Sequence, residues 1–273
     1  MRELIDCHIH TERCGHAAGT VDECARSAVE QGLYGIALTE HLALPDEFDP
    51  DRNLSMPARE LEAYLAEVQT ARARYPDLKI VTGLEADFLP GREGQTAAAL
   101  EQARARANGA TFVLGSVHFI GTWAFDDPSH VEAWDEHDAD EAWREYFALW
   151  IQAAESGLFD VMAHPDLVKK FGHFPSFDPT QLYSECAAAA ARAGVLAEVS
   201  TAGLRKPVGE LYPGKALLGE FCRAGVRVTV GSDAHTPSEV GFMIDAAYDA
   251  LAAAGYEVVM FPGVTGGWEE IAL

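Results

Sequence analysis

Seven short apolar runs, each followed by a longer helical pattern, constrain this chain more tightly than any other feature. The runs lie near "ELIDC", "GIALT", "KIVTGLE", "TFVLGSV", "FDVMA", "VLAEVS" and "VRVTVGS". Between them lie "VDECARSAVEQG", "ARELEAYLAEVQTARARY", "QTAAALEQARARANG", "EAWREYFALWIQAAESG", "PTQLYSECAAAAARAG" and "GKALLGEFCRAG", all amphipathic or alanine-rich, and "SEVGFMIDAAYDALAAAG" follows the last run. Several helical segments end in the glycine favoured just past a helix, at Gly32, Gly109, Gly157, Gly194 and Gly225. Seven β-α units in unbroken succession imply a parallel sheet, open or closed. No low-complexity linker or short repeat divides the 273 residues, so a single domain over 1–273 is expected. The terminal "YEVVMF" is expected as an edge strand or packed underneath.

The stretch "DCHIHTERCGH" starts at Asp6 and holds His8, His10 and His16. Alone, a His-x-His says little. Two imidazoles on one face of a strand serve a metal or a wet strand end equally well. The other histidines decide the matter. His41 follows the second run in "LTEH", His118 the fourth in "GSVHF" and His164 the fifth in "VMAHPD". Glu85 ends the third in "TGLEADF", and Asp233 and His235 follow the seventh in "GSDAH".

In a barrel or open parallel sheet the carboxyl ends of the strands share one face, and that face carries the active site. Seven imidazoles and two carboxylates are therefore expected at one mouth. Such a donor set suits Zn, Mn or Fe rather than a cysteine-rich structural zinc. Alternation turns Cys7 away from His8 and His10, and Cys14 is given no ligand role either. Nine donors exceed the roughly four that one zinc takes. Two or three ions sharing a bridging carboxylate, Glu85 or Asp233, fit better, an arrangement used for hydrolysis at phosphorus. His130, His137 and His173 fall in loops and receive no role.

Composition bounds the partners. The net charge of −23, from 43 acidic against 20 basic residues, argues against nucleic acid, whose binders neutralise phosphates with Lys and Arg. The same acidity would repel a phosphorylated substrate unless bound cations supplied local positive charge. Five cysteines form no C-x-x-C pair, which suits reduced thiols in the cytoplasm. No signal-peptide pattern or run of 18 apolar residues is found, so no membrane association is expected. From Phe125 to Glu141, "FDDPSHVEAWDEHDADE" contains eight acidic residues and no Lys or Arg. It reads as a solvated loop or lid.

Taken together, "DCHIHT", "CGH", "LTEH", "GLEADF", "GSVHF", "AHPDLVKKFG" and "GSDAH" resemble the polymerase-and-histidinol-phosphatase (PHP) superfamily in order and spacing from Asp6 to His235. "GSVHFIGTWAFDDP", "DLVKKFG" and "EVSTAGLRKPVGELYP" look like segments of its histidinol-phosphate phosphatases. The resemblance implies a distorted (β/α)7 barrel of TIM-like type with parallel strands and a trinuclear site. By motif, His8, His10, Glu85 and Asp233 would hold one metal. Glu85, His118 and His164 would hold a second, and His16, His41 and His235 a third.

The implied activity is hydrolysis of L-histidinol phosphate in histidine biosynthesis, by in-line attack of a metal-bridging hydroxide. Glu85, Asp233, His235 and Arg205 are the expected catalytic residues. Arg205 lies in the loop after the sixth run, the only run without a ligand, where a guanidinium fork can clamp phosphate. Lys169, Lys170 and Lys206 could add positive potential, with Lys169 also a candidate substrate contact. Glu198, Asp126, Trp123 and Tyr212 are alternatives for the wall around the substrate's ammonium and imidazole. Two rivals stand beside this reading: a PHP phosphoesterase for another small ester or nucleotide, and an inert metal-stabilised scaffold.

Overall fold

The computed structural model describes residues 2–107 and 111–273. In chain order the elements are β1 (Ile5–Ile9), α1 (Val21–Glu30), β2 (Gly35–His41), α2 (Leu61–Arg74), β3 (Lys79–Asp87) and α3 (Glu93–Arg106). There follow β4 (Thr111–Ser116), β5 (Phe119–Ile120), β6 (Trp123–Ala124), α4 (Ala139–Glu155), β7 (Val161–Met162) and α5 (Thr180–Ala193). The chain ends with β8 (Leu196–Ser200), α6 (Lys215–Arg223), β9 (Val228–Gly231), α7 (Ile244–Ala254), β10 (Val258–Pro262) and β11 (Trp268–Ala272).

The seven apolar runs form one parallel sheet in the order β1-β2-β3-β4-β7-β8-β9. Its two edges come together through one parallel bridge, Ile9 to Ala234. There His10 N donates to Ala234 O at 2.8 Å and Ala234 N to His8 O at 3.2 Å. The buried Asp6 carboxylate tightens the seam by accepting Ser232 N and Gly241 N, both at 2.8 Å, and the Ser232 hydroxyl. The result is a nearly closed barrel of TIM-like type. It is distorted where the β1–β2 register slips between Asp6 and Ile9 and where β7 has only two residues.

Local sequence explains the helices. Thr20 caps α1, and Glu23 returns to the Thr20 backbone in a capping box, a motif contributing about 1 kcal/mol. Val21, Cys24, Ala25 and Ala28 bury one face, the spacing of an amphipathic helix against a sheet. Of the expected helix-ending glycines, Gly32, Gly157, Gly194 and Gly225 adopt positive φ of 69° to 74°. Gly109 lies outside the described residues.

The terminal segment packs underneath. β10 pairs antiparallel with β11 and joins no barrel strand in the sheet. Phe261 fills the space above Gly35, where a Cβ would meet its ring at 2.5 Å. Trp268 meets Phe112 edge-to-face, so the hairpin covers the amino ends of β2 and β4. Lys79 ties it down through Glu269 at 2.7 Å.

The acidic segment needs a correction. Glu132, Asp135, Glu136, Asp138 and Glu141 are exposed, as a solvated loop requires, but Phe125 and Trp134 are buried. Trp134 donates to Phe125 O at 2.8 Å and stacks on His173, while Trp123 stacks on His137 at 3.7 Å. Aromatic anchors therefore hold the segment at both ends of a short 3-10 stretch, Pro128–Glu136. Among the described residues no helix is long and apolar enough to cross a membrane.

Candidate metal centre

Alternation along β1 turns Asp6, His8 and His10 toward the barrel interior while Ile5, Cys7 and Ile9 join the hydrophobic core. His41 closes β2 and is in register with Glu85 of β3. His118 and His164 follow β4 and β7, and Asp233 and His235 follow β9. His164 and Asp233 have left-handed φ of 25° and 51°. Such conformations cost about 1–3 kcal/mol each in residues other than glycine, and they persist where surrounding bonds over-determine them. His164 N is held by Glu198 Oε2 at 2.7 Å, and Asp233 O by Arg205.

All nine side chains are brought to this mouth. Their donor atoms form three groups whose members lie within 4.8 Å of one another: His8, His10 and Asp233; His10, His41 and His235; Glu85, His118 and His164. His16 reaches the second group through His235, Nε2 to Nε2 at 3.1 Å. The structure thus sets His10 beside His41 and His235 as well as beside His8. Glu85 touches all three groups. Its Oε2 faces His8 and His10 Nε2 at 3.1 Å and His41 Nδ1 at 3.3 Å, while its Oε1 faces His164 Nε2 at 3.0 Å.

Burial leaves His8, His10 and Glu85 almost no access to water, and His8 and His10 Nε2 approach to 2.9 Å. So many lone pairs turned to one point exceed what hydrogen bonds alone satisfy. A set of imidazole and carboxylate donors with no thiolate fits divalent cations.

Further polar groups hold these rings from behind. Glu198 Oε1 accepts from His8 Nδ1 at 2.9 Å, Asp87 Oδ1 from His118 Nδ1 at 2.9 Å, and the Asn53 carbonyl from His16 Nδ1 at 3.1 Å. Each bond leaves the opposite nitrogen free for the mouth. Glu40 accepts Thr11 N at 3.1 Å and the Thr11 hydroxyl, with its other oxygen 3.7 Å from His10 Nδ1. The Ser116 hydroxyl donates to Glu85.

The field follows from this packing. Burial would lower the His8 and His10 rings, yet the surrounding carboxylates outweigh it and hold both well above the usual imidazole value. Likewise burial opposes a charged His118, but Asp87 raises it to about 10. Burial, reinforced by the His10 charge, holds His41 well below normal and lowers His235 to about 3. Burial alone would raise Glu85 and Asp233, but the neighbouring imidazoles, His8 foremost, keep both well below the usual carboxylate range. This packing favours ionised Glu85 and Asp233 and divides the rings, raising His8, His10 and His118 and lowering His41 and His235.

Arg205 lies beside Asp233 and is 14% exposed: its Nη2 donates to Ser232 O at 2.8 Å and Asp233 O at 3.0 Å, its Nε faces Glu239 Oε1 at 3.2 Å, and its buried Nη1 has no hydrogen-bond partner among the described residues. Lys169 is buried, and its ammonium faces Asp166 and Glu210 at 3.0 Å and Leu211 O at 2.9 Å. Three acceptors match its three protons, so it clasps the loop after β8 to the loop after β7. Tyr212 is buried in the same clasp, and its hydroxyl has no hydrogen-bond partner among the described residues. Lys170 pairs with Asp126 at 2.9 Å beside the His118 and His164 group. Glu198, one of the candidates for a substrate wall, is fully buried and spent on His8 and His164.

The roles of Asp87, Glu40 and Asn53 escaped the sequence reading. Asp87 alone carried a usable signal, since it lies two residues beyond Glu85 and shares its face.

A PHP domain model matches residues 6–202. The chain is 39% identical over 263 residues to a probable histidinol-phosphatase of Deinococcus radiodurans, covering 96% of this chain and 97% of that protein. It is 28% identical over 266 residues to the histidinol-phosphatase of Bacillus subtilis, covering 88% and 97%. The fold is similar to that of histidinol phosphate phosphatase from Lactococcus lactis, crystallised with zinc, L-histidinol and phosphate. The TM-score is 0.78 at 20% identity, covering 98% of this chain and 99% of that one.

Proposed function

This chain belongs to the PHP domain family, and on that premise we propose that it hydrolyses L-histidinol phosphate to L-histidinol and phosphate as a metal-dependent phosphomonoesterase. The observation that carries the reading is Glu85, whose two oxygens face different donor groups at 3.0–3.1 Å. Such a carboxylate suits a bridge between cations. The relatives named for this activity match nearly end to end.

In the proposed site the nine residues His8, His10, His16, His41, Glu85, His118, His164, Asp233 and His235 hold two or three divalent cations, with zinc, manganese and iron all compatible with the donors. Bound there, such cations supply Lewis-acid activation of water and neutralise charge on phosphoryl oxygens. That local positive charge reconciles an acidic protein with an anionic substrate. Glu198, Asp87 and Asn53 set the ring orientations, and carboxylates behind imidazoles strengthen them as ligands. Arg205, held by two carbonyls and by Glu239 at 3.2 Å, keeps a buried Nη1 without a partner among the described residues, and this nitrogen binds a phosphate oxygen once the side chain turns to the mouth. Lys169 and Tyr212 act one step removed, by holding the Arg205 loop, and Trp123, stacked on His137, is the candidate for the far end of the substrate. We take 1–273 as one domain because a single hydrophobic cluster runs from Ile5 to Ile271, and we place the enzyme in the cytoplasm as a histidine-biosynthetic activity.

The test is phosphate release from L-histidinol phosphate beside a panel of sugar phosphates and nucleotides, on protein with quantified metal. Strong preference for histidinol phosphate supports the proposal. A different preferred ester keeps the chemistry and rejects the substrate. Full metal occupancy with no turnover on any ester rejects the enzyme reading. Arg205→Ala should lower kcat/KM by more than the loss of metal that follows from freeing Asp233 O.

A further inference from the structure

We propose that Asp49, in the loop between β2 and α2, is a positioning residue for the outer donor group, acting through the Asn53 carbonyl on His16. This rests on the metal reading above. His16 differs from the other candidate ligands because it is exposed. Its ring packs on the His41 and His235 rings at 5.2 and 4.9 Å, and its bonds decide which nitrogen faces them. Its Nδ1 donates to Asn53 O at 3.1 Å, which leaves Nε2 directed at His235 Nε2, 3.1 Å away.

Asn53 is itself exposed and follows Arg52, whose φ of 54° is left-handed. A carbonyl in such a loop keeps its direction only if the backbone is pinned. Asp49 does this. It is 3% exposed, its Oδ1 accepts Asn53 N at 2.8 Å and Leu54 N at 3.2 Å, and its Oδ2 accepts the Ser55 hydroxyl at 2.8 Å. Ser55 Oγ in turn accepts Leu44 N at 3.0 Å, and Met56 N donates to His41 O at 3.1 Å. One carboxylate therefore ties the loop to the end of β2. From the other side Gly15, with φ of 89°, lets the His16 loop lie flat on Asn53. A Cβ there would come within 2.9 Å of Asn53 Cα.

The inner groups stand on strands and on Glu198 and Asp87; among the described residues this loop bonds to them at its start, Leu42 N to Glu85 O at 2.7 Å, outside the Asp49–Ser55 network. Asp49 should therefore control one cation equivalent only. The experiment is zinc titration of the full chain against a chromophoric chelator, for wild type, Asp49→Ala, Asp49→Asn, Ser55→Ala, His16→Ala and the Asp49→Ala/His16→Ala pair. Asp46→Ala, which removes an exposed carboxylate of the same loop, is the control.

The weakest equivalent should lose roughly 10–100-fold in affinity in Asp49→Ala, the range for losing a group behind a metal ligand. The tighter equivalents and Asp46→Ala should be unchanged. Asp49→Asn keeps an acceptor for the two backbone N–H groups and should recover part of the loss, with Ser55→Ala intermediate. The double variant should lose no more than His16→Ala alone, since residues acting through one another are not additive. Wild-type titration by Asp49→Ala, loss of every equivalent, or additive loss in the pair would each overturn the inference. Should Asp49→Ala not fold, Asp49→Asn and Ser55→Ala carry the same comparison. Wild-type protein that binds no zinc would instead reject the metal reading itself.

Discussion

Glu198 of β8 and His8 of β1 meet inside the barrel, Oε1 to Nδ1 at 2.9 Å, with both side chains wholly buried. The other oxygen of Glu198 takes the backbone N–H of His164, so one carboxylate orients two candidate ligands from different strands. Glu198→Gln can keep one of these bonds but not the charge opposite His8. Metal affinity is expected to fall about 10–100-fold, the range for losing a carboxylate behind a metal-binding imidazole. Chelator competition checks this. An unchanged affinity would show that the pair serves packing alone.

Glu85 offers a sharper test because it faces both sides of the centre. An amide can present one oxygen, and its NH2 would point at imidazole nitrogens on the other side. Glu85→Gln is expected to lose at least one cation equivalent. Turnover should fall by at least ~100-fold, the scale of losing one electrostatic contact in a transition state. Elemental analysis and phosphate release together decide it. Near-normal activity with full metal would remove Glu85 from the bridging role.

What was legible in the sequence follows from what is local. Apolar runs and helix-ending glycines are short-range signals, so the seven barrel strands stood out, and candidate ligands could be placed by their position at strand ends. Glu198 lay in plain view inside "VLAEVS", but its partner is 190 residues away, and nothing local distinguishes a histidine-facing carboxylate from a substrate-facing one. Lys169 reads as a candidate substrate contact for the same reason. Only the folded loops bring Asp166, Glu210 and the Leu211 carbonyl around it. In the acidic segment, charge masked the two buried aromatics that anchor it. The β10–β11 hairpin packs underneath because Phe261 fills the space above Gly35, a tertiary fit that periodicity does not encode.

Gly231 is a packing position dictated by the same Glu198–His8 pair. A Cβ there would lie 2.1 Å from Glu198 Oε1 and 2.5 Å from His8 Cβ. Neither neighbour can yield without breaking a buried bond. Gly231→Ala is expected to destabilise the fold by about 1–3 kcal/mol, the usual cost of overpacking, at roughly 2–4 °C of Tm per kcal/mol. Metal affinity should fall with it. A thermal melt matching wild type would mean that β9 shifts freely.

The imidazoles also give the metal-free protein a distinctive pH profile. His235, lowered to about 3 by burial and the His10 charge, and His41, held well below normal by the same causes, bind fewer protons folded than unfolded. Their contribution is complete above the unfolded value of about 6.5 and is lost as pH falls through that value toward 3. His118 runs the other way. Burial opposes its charge, but Asp87 raises it to about 10, so its contribution is complete below about 6.5 and is lost as pH rises toward 10. His8 and His10, also raised, add to that second limb. Each proton of difference tilts stability by about 1.4 kcal/mol per pH unit. Chelator-treated protein should therefore melt highest near pH ~6.5 and lower on both sides. Cation binding displaces protons from these rings, so the metal-loaded protein should instead gain stability as pH rises through neutrality. Melts of both forms between pH ~4 and ~10 test the assignment. A metal-free Tm that climbs steadily across that range would mean that the carboxylates do not hold His8, His10 and His118 charged.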